Sequence, residues 1–364
     1  MAAHYGPRVV TADLRTPERR TDPSEGATPA PLPTAPAAPA GPAVPAGPLI
    51  VRLRNWVGDV LLGLPMLQRA ADAGYDLHLV GKGWARDLLA GHGWPVHVLP
   101  ARFGERLRLL RQLRDDTAGA RRAASAAARG GRRIDALCLP YSFSSALEFR
   151  LAGLRAIGHA YEGRSLLLSR AVPRPQGVHE LEVYWHLGSA LLGADAPPPT
   201  AIGLQTSVQH RAQAASLQAT HGLAPGYVMV CPFAGGTWSG EDKTWPAFAD
   251  FVARVLPAFG RRVVVCPGPG EEAAAHAHFG SATVLEGVGL GAYAALLQDA
   301  ALMISNDTGP GHIAAAVGAP LLSVLGPSDP ALWRAWGPSV TLLKGAAGWP
   351  DVDTVRDAVA ATLR

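Results

Sequence analysis

Leu302-Met303-Ile304-Ser305-Asn306-Asp307-Thr308-Gly309-Pro310-Gly311-His312-Ile313-Ala314-Ala315-Ala316 is the stretch from which the architecture is read. Its opening is a short apolar run of buried-strand length. A polar turn follows, and a helix of small residues starts after it. Free amides at that helix start, with the positive end of its dipole, suit a diphosphate. Thr308 adds a hydroxyl, and His312 lies one turn in. Asp307 would repel phosphate, so it reads as a helix cap or a contact for sugar hydroxyls. A single His near a helix start is usually structural; here it shares a turn with Asp, Thr and two glycines.

The same strand–turn–helix pattern recurs on both sides. Downstream come the turn Gly326-Pro327-Ser328-Asp329-Pro330 and a strand at 320–325. Upstream, strands are expected at 227–231, 262–266, 283–285 and 302–305, with helices near 245–258, 271–278, 291–299 and 309–317. An earlier set starts with Leu49-Ile50-Val51-Arg52-Leu53, a turn at Gly58, and a helix with Leu61, Leu64, Leu67 and Ala71 on one face. Pro65 should kink or restart that helix. Further strands are expected at 76–80, 96–99 and 134–139. Strands alternating with helices predict an α/β fold with parallel sheets. Pro197-Pro198-Pro199 breaks the pattern and reads as a linker. The chain is thus divided into a Pro/Ala-rich extension without fold (1–47), two Rossmann-like units (48–196 and 204–350), and a terminal helix (351–364) able to cross back to the first unit. Ligands of such a pair bind in the cleft between them, at the carboxyl ends of the strands.

Composition narrows the class. The chain has 364 residues, 48% of them hydrophobic, enough for real cores. No run of about 18 uncharged apolar residues occurs, and no signal pattern opens the chain, so a cytoplasmic protein is expected. Cys138, Cys231 and Cys266 form no CxxC pair and read as core thiols. Net charge is +4, and residues 101–133 hold ten arginines against Glu105, Asp115 and Asp116. Such a face suits an anionic membrane or a phosphorylated ligand; a solvated helix explains it equally well. Nucleic acid is disfavoured, because aromatics are not interleaved with the basic residues.

Three further sites carry candidate chemistry. In Trp56-Val57-Gly58-Asp59, Gly58 makes the turn after the first strand and Asp59 opens the helix. A carboxylate there is either a cap or a general base at the mouth of the cleft. Cys231-Pro232-Phe233-Ala234-Gly235-Gly236-Thr237 leads to Lys243-Thr244-Trp245-Pro246. Its glycines let backbone amides approach phosphate, and Lys243 can neutralise a diphosphate. No GKS or GKT follows, so it is not a Walker A loop. Gly268-Pro269-Gly270-Glu271-Glu272 ends another strand; either carboxylate can accept from a ribose or serve the helix dipole.

Together these residues resemble glycosyltransferase family 9, the lipopolysaccharide heptosyltransferases. The strongest piece is Asn306-Asp307-Thr308-Gly309 with His312 and the downstream Gly326-Pro327-Ser328. Trp56-Val57-Gly58-Asp59, Leu139-Pro140-Tyr141-Ser142-Phe143-Ser144-Ser145-Ala146-Leu147 and Lys243-Thr244-Trp245-Pro246 are similar to the branch that adds the second heptose. The resemblance implies a GT-B fold, an ADP-heptose donor, an acceptor in the lipid A–Kdo inner core, and an inverting single displacement without metal or cofactor. It implies that Asp59 takes the acceptor proton and that Lys243 with the Thr308–Gly309 amides stabilises departing ADP. Gly235, Gly236, Thr237, Glu271, Glu272, Asp307 and His312 would hold the donor. Asn55, Trp56, Gly58, Tyr141 and Ser142 would meet the acceptor, at the inner face of the inner membrane. The DxD triplet Asp351-Val352-Asp353 lies away from the expected cleft.

Other readings stay open on sequence alone: a sister transferase with another nucleotide sugar or acceptor, a GT-B-fold nucleotide-sugar epimerase, or a non-catalytic binding protein. A dinucleotide oxidoreductase needs G-x-G-x-x-G after the first strand, which Val57-Gly58-Asp59-Val60 lacks.

Overall fold

The computed structural model describes residues 9–10, 47–127, 134–235, 237–238, 240–326, 329–346 and 348–364. In chain order its strands are β1 (Val9–Val10), β2 (Gly47–Arg52), β3 (Tyr75–Gly81), β4 (Val96–Val98), β5 (Ala136–Cys138), β6 (Ala156–His159) and β7 (Arg170–Val172). There follow β8 (Val228–Cys231), β9 (Thr237–Trp238), β10 (Glu241–Asp242), β11 (Val263–Val265), β12 (Thr283–Val284), β13 (Leu302–Asn306), β14 (Leu321–Leu325) and β15 (Val340–Lys344). β9 and β10 form a small antiparallel hairpin. The rest make two parallel sheets, ordered β4-β3-β2-β5-β6-β7 and β1-β15-β14-β13-β8-β11-β12.

Leaving β1 aside, the two orders are the same. Each half puts its first strand in the centre, the next two on one side and the last three on the other. This is the doubly wound order, with a crevice at the point where strand order reverses. The reversal lies between β2 and β5 in the first sheet and between β8 and β13 in the second. β2 is buried along its whole length, as a strand covered by helices on both faces must be.

The largest apolar cluster spans both halves. It runs from Leu49, Val51 and Leu53 through Leu61, Leu64 and Tyr184 to Ile313, Ala314 and Met229. The Val57–Asp72 helix, which leaves β2, packs against the Glu180–Leu192 helix on one side and the Gly309–Val317 helix on the other. The seam between the halves is therefore packed like a domain interior.

Several expectations need correction. Val9–Val10 pairs with Leu342–Leu343 at the edge of the second sheet, although residues 1–47 read as an extension without fold. Residues 1–8 and 11–46 lie outside the described residues, and Gly47 already belongs to β2. Pro65 does not restart its helix, which is continuous from Val57 to Asp72 with Pro65 buried. The expected helix at 245–258 is irregular, with a turn of π-helix at Phe251–Val255 and a 3-10 turn at Leu256–Phe259. β6, β7 and β15 were not anticipated; β6 reads Ala-Ile-Gly-His and carries little strand propensity. The Val352–Thr362 helix does not cross to the first half. It buries Val355 and Val359 with Leu322, Val324 and Leu343 of the second sheet, which takes up its apolar face.

The linker is fastened on both sides. Arg69 donates to Ala194 O (2.6 Å), Trp185 to Ala196 O (2.6 Å) and Gln68 to Gly203 O (2.8 Å). From the second half, Trp336 donates to Pro199 O (2.9 Å), and Ala316 O accepts from Leu204 N (2.8 Å). His179 adds a tie across the seam. Its Nδ1 accepts from Leu181 N (3.2 Å), which leaves Nε2 to donate to Arg334 O (2.9 Å). Burial lowers the His179 imidazole to about 3, so the ring is neutral.

Candidate active site

The first loop after β2 carries Arg54, Asn55, Trp56, Gly58 and Asp59. Trp56 is 72% exposed, whereas Asp59, in the first turn of the helix, is only 8% exposed. Asp59 is not a backbone cap, because the N-cap residue is Trp56 and no side chain of that residue serves it. Its Oδ1 instead accepts from Tyr184 Oη (3.3 Å) and Arg54 Nη2 (3.5 Å). Asn55 accepts from Arg52 Nη2 (3.4 Å).

The second loop, after β5, packs beside the first. The Arg54 guanidinium stacks on the Tyr141 ring at 4.5 Å and that of Arg174 at 5.0 Å. Tyr141 donates its hydroxyl to buried Glu180, which also pairs with Arg174 at 2.8 Å. Burial and the neighbouring Glu180 carboxylate push the Tyr141 hydroxyl upward, so it stays protonated. Ser142 accepts from Ser145 N (3.4 Å) and caps the Phe143–Ala152 helix. Of the acceptor-facing residues expected from sequence, Trp56 is thus the most available; Tyr141 and Ser142 hold the loop's shape.

From the second half, the Gly309–Val317 helix points its start at the same place. Its N-cap residue Thr308 makes no side-chain cap bond. The amides of Gly309 and Gly311 therefore remain as first-turn donors without intrahelical partners. Thr308 Oγ1 lies 3.4 Å from Ser305 Oγ and 3.8 Å from Cys231 Sγ. Asn306 is fully buried and acts as a bracket, accepting from Trp245 N (3.0 Å) and donating to Pro232 O (2.7 Å). It thereby fixes the segment holding Lys243 and Thr244 to the end of β13.

His312 joins the halves. A Cβ on Gly58 would lie 2.9 Å from His312 Cδ2, and one on Gly309 would lie 3.1 Å from Val57 Cβ. A side chain at Gly58 would push on the imidazole, and one at Gly309 would crowd Val57, so glycine at these positions lets the two helix starts meet closely. Burial lowers the His312 pKa, while Asp307 and Asp59 pull it up and Lys243 lowers it further. The ring is neutral near pH 7, and its Nδ1 is buried without a hydrogen-bond partner among the described residues. The structure thus brings Asp59, His312, Asp307 and Lys243 into one electrostatic neighbourhood.

The remaining donor candidates are placed differently. Glu271 accepts from Gly268 N (2.8 Å) and Glu272 from Gly270 N (2.7 Å), so both carboxylates shape their own turn at the end of β11. Gly235 is exposed at the end of the β8 loop. Gly236 lies outside the described residues, as does the side chain of Thr237. Sequence reasoning missed Arg54, Arg174, Glu180 and Tyr184. Arg54 was detectable in principle, five residues before Asp59 in the same loop; Tyr184 sits in an ordinary helix pattern and gave no signal.

Four arginines of the basic stretch make contacts within the fold. Arg106 pairs with buried Glu148 (3.1 Å), Arg111 and Arg114 donate to Leu151 O (3.3 Å) and Ala152 O (2.8 Å), and Arg121 faces Asp135 (3.9 Å). No described helix is long and apolar enough to cross a membrane.

Comparison with known proteins bears on the fold and the family. By overall fold the chain is similar to the E. coli ADP-heptose LPS heptosyltransferase II structure, with TM-score 0.70 and 22% identity over 86% of this chain and 98% of that one. It is similar also to a glycosyltransferase family 9 protein of Veillonella parvula, with TM-score 0.69 and 18% identity over 88% of this chain and 90% of that one. An E. coli heptosyltransferase solved with ADP-2-deoxy-2-fluoro heptose gives TM-score 0.62 at 21% identity, covering 86% and 99%. These likenesses establish the GT-B fold. In sequence, 123 residues are 35% identical to Escherichia coli lipopolysaccharide heptosyltransferase 3, over 32% of this chain and 35% of that protein, so the match spans about a third of the relative's length. The profile of glycosyltransferase family 9 (heptosyltransferase) matches residues 133–358, well over half of the chain, and the chain belongs to that family.

Proposed function

We propose that the protein is an inverting glycosyltransferase that moves heptose from ADP-heptose to a sugar hydroxyl of the lipopolysaccharide inner core, without a metal. The observation that carries this is the close approach of the helix start that bears Asp59 to the open start of the Gly309–Val317 helix, Gly58 against His312 and Gly309 against Val57. A carboxylate opposite a set of free amides and a lysine is what a displacement at an anomeric carbon requires. One side accepts a proton and the other receives a diphosphate. Asp59 takes the proton of the acceptor hydroxyl as its oxygen bonds to the anomeric carbon. The bond from that carbon to the diphosphate breaks on the opposite face, inverting the centre. ADP leaves with the bonding pair, its charge met by the Gly309 and Gly311 amides and by Lys243. Neutral His312 and Asp307 hold the sugar, and the β8 and β11 loops lie where the nucleoside would rest. The ADP-heptose donor is supported by the family membership and by the ADP-sugar named for a solved relative of the same fold. Because the acceptor is lipid-linked, the reaction belongs at a membrane surface.

ADP release from ADP-heptose in EDTA tests the whole reading. Lipid A–Kdo acceptors bearing no, one or two heptoses are supplied separately. The expected result is release that depends on an acceptor, with the one-heptose acceptor preferred. Release that needs a divalent metal removes the metal-free mechanism. Release with no acceptor at all replaces transfer by hydrolytic or epimerase-like chemistry. Acceptor-dependent release from another nucleotide sugar alone assigns a different donor.

A further inference from the structure

We propose that Tyr184 is a positioning residue for the base: together with Arg54 it clamps Oδ1 of Asp59 and leaves Oδ2 to take the acceptor's proton. The inference rests on the reading of Asp59 as the base. Tyr184 lies on the Glu180–Leu192 helix, its side chain is fully buried, and its hydroxyl donates to Asp59 Oδ1 at 3.3 Å. Arg54 reaches the same oxygen at 3.5 Å from the loop before the Val57–Asp72 helix. Two donors from separate elements converge on one oxygen, which fixes the rotation of the carboxylate about its own bond. A buried phenol needs a partner for its hydroxyl, and here that partner is the Asp59 carboxylate.

The same helix acts on Asp59 a second time. Glu180, at its first position, holds the Tyr141 hydroxyl, and the Tyr141 ring carries the Arg54 guanidinium. One element thus sets both donors. Tyr184 keeps its own proton throughout, since burial and the adjacent Asp59 raise its pKa well above the usual value. The acceptor proton therefore ends on Asp59 and is not passed to the phenol. The charged and titratable groups facing Asp59 are Arg54 and Tyr184 from the first half, with Tyr141 and Glu180 behind them. From the second half they are His312, with Asp307 and Lys243 beside it.

Tyr184→Phe removes one hydroxyl and keeps the packing. Turnover is expected to fall roughly 10- to 100-fold, the range for a hydrogen bond to a charged group, with both KM values unchanged. The acidic limb of kcat is expected to move to higher pH, because the carboxylate loses a donor that favours its charged form. ADP affinity and thermal midpoint are measured alongside. An unchanged acidic limb with normal kcat overturns the proposal, and so does a loss explained wholly by weaker ADP binding or a lowered midpoint. If the Phe variant fails to fold, Arg54→Gln asks the same question of the other donor, with the same limb shift expected. Asp59→Asn separates the two layers of the argument. If it retains turnover, the base reading falls and takes this proposal with it; if it is inactive while Tyr184→Phe behaves as wild type, only the positioning role falls.

Discussion

Gly58, next to Asp59, decides how closely His312 approaches this helix start, since a Cβ there would sit 2.9 Å from the imidazole. Gly58→Ala is expected to lower stability by about 1–3 kcal/mol, the cost of overpacking a closed interior, read from the denaturant midpoint. Turnover should fall with it, because His312 must retreat. Asp59→Asn should leave the fold and ADP binding intact and cut turnover by at least about a hundredfold, the scale of general-base loss; near-normal turnover would sink the assignment. At this scale the sequence was informative where chemistry and local geometry coincide. Asp59, His312, Thr308 and Lys243 each stand at a strand end or helix start, and it is that position together with the family resemblance that singles them out. Glu271 and Glu272 stood at such a place too, yet both spend their carboxylates on local amides. Tyr184 could not be found this way, because its contact with Asp59 joins residues 125 apart in the chain.

Elements were legible in proportion to their apolar runs. β2, β8, β13 and β14 are buried strands of Val, Leu and Ile, and each was located within a residue or two. β6 and β7 were missed because they are short and owe their pairing to the sheet around them. The π-turn at Phe251–Val255 is likewise set by packing, since Phe248, Phe251 and Trp245 crowd one cluster there. Asn306 shows what joins elements beyond their own pattern, tying β13 to the Lys243 segment and the β8 loop. Asn306→Ala should destabilise by about 2–4 kcal/mol, as two buried backbone groups lose their partner. It should also raise the KM for the donor, because Lys243 is no longer anchored. A variant with normal stability and normal donor KM would show that the bracket is dispensable.

For the whole molecule, the relation of the halves matters more than either half. His179 bridges the seam only as a neutral ring. In the unfolded chain it takes a proton near its usual 6.5, whereas in the folded protein it resists until about 3. Its contribution is therefore complete above pH 6.5 and declines as pH falls through that window, by at most about 1.4 kcal/mol per pH unit. Denaturant midpoints measured from pH 7 to pH 4 should show this slope, and His179→Asn, which keeps a cap acceptor but cannot titrate, should flatten it. An equal slope in the variant would assign the effect to other groups. Parallel sheets were foreseeable from the alternation of strands and helices; the strand order and the shared core at the seam were not, because they depend on which elements meet.

The stapled linker has one more consequence. Residues 194–205 are fastened to Arg69, Trp185 and Gln68 on one side and to Trp336 and Ala316 on the other, over a seam that is itself an apolar interior. The peptide bonds through Pro197-Pro198-Pro199 are then the least of what joins the halves. A chain split at Pro198 and produced as two pieces should reassemble into one active particle, the pieces recognising each other as bound partners do.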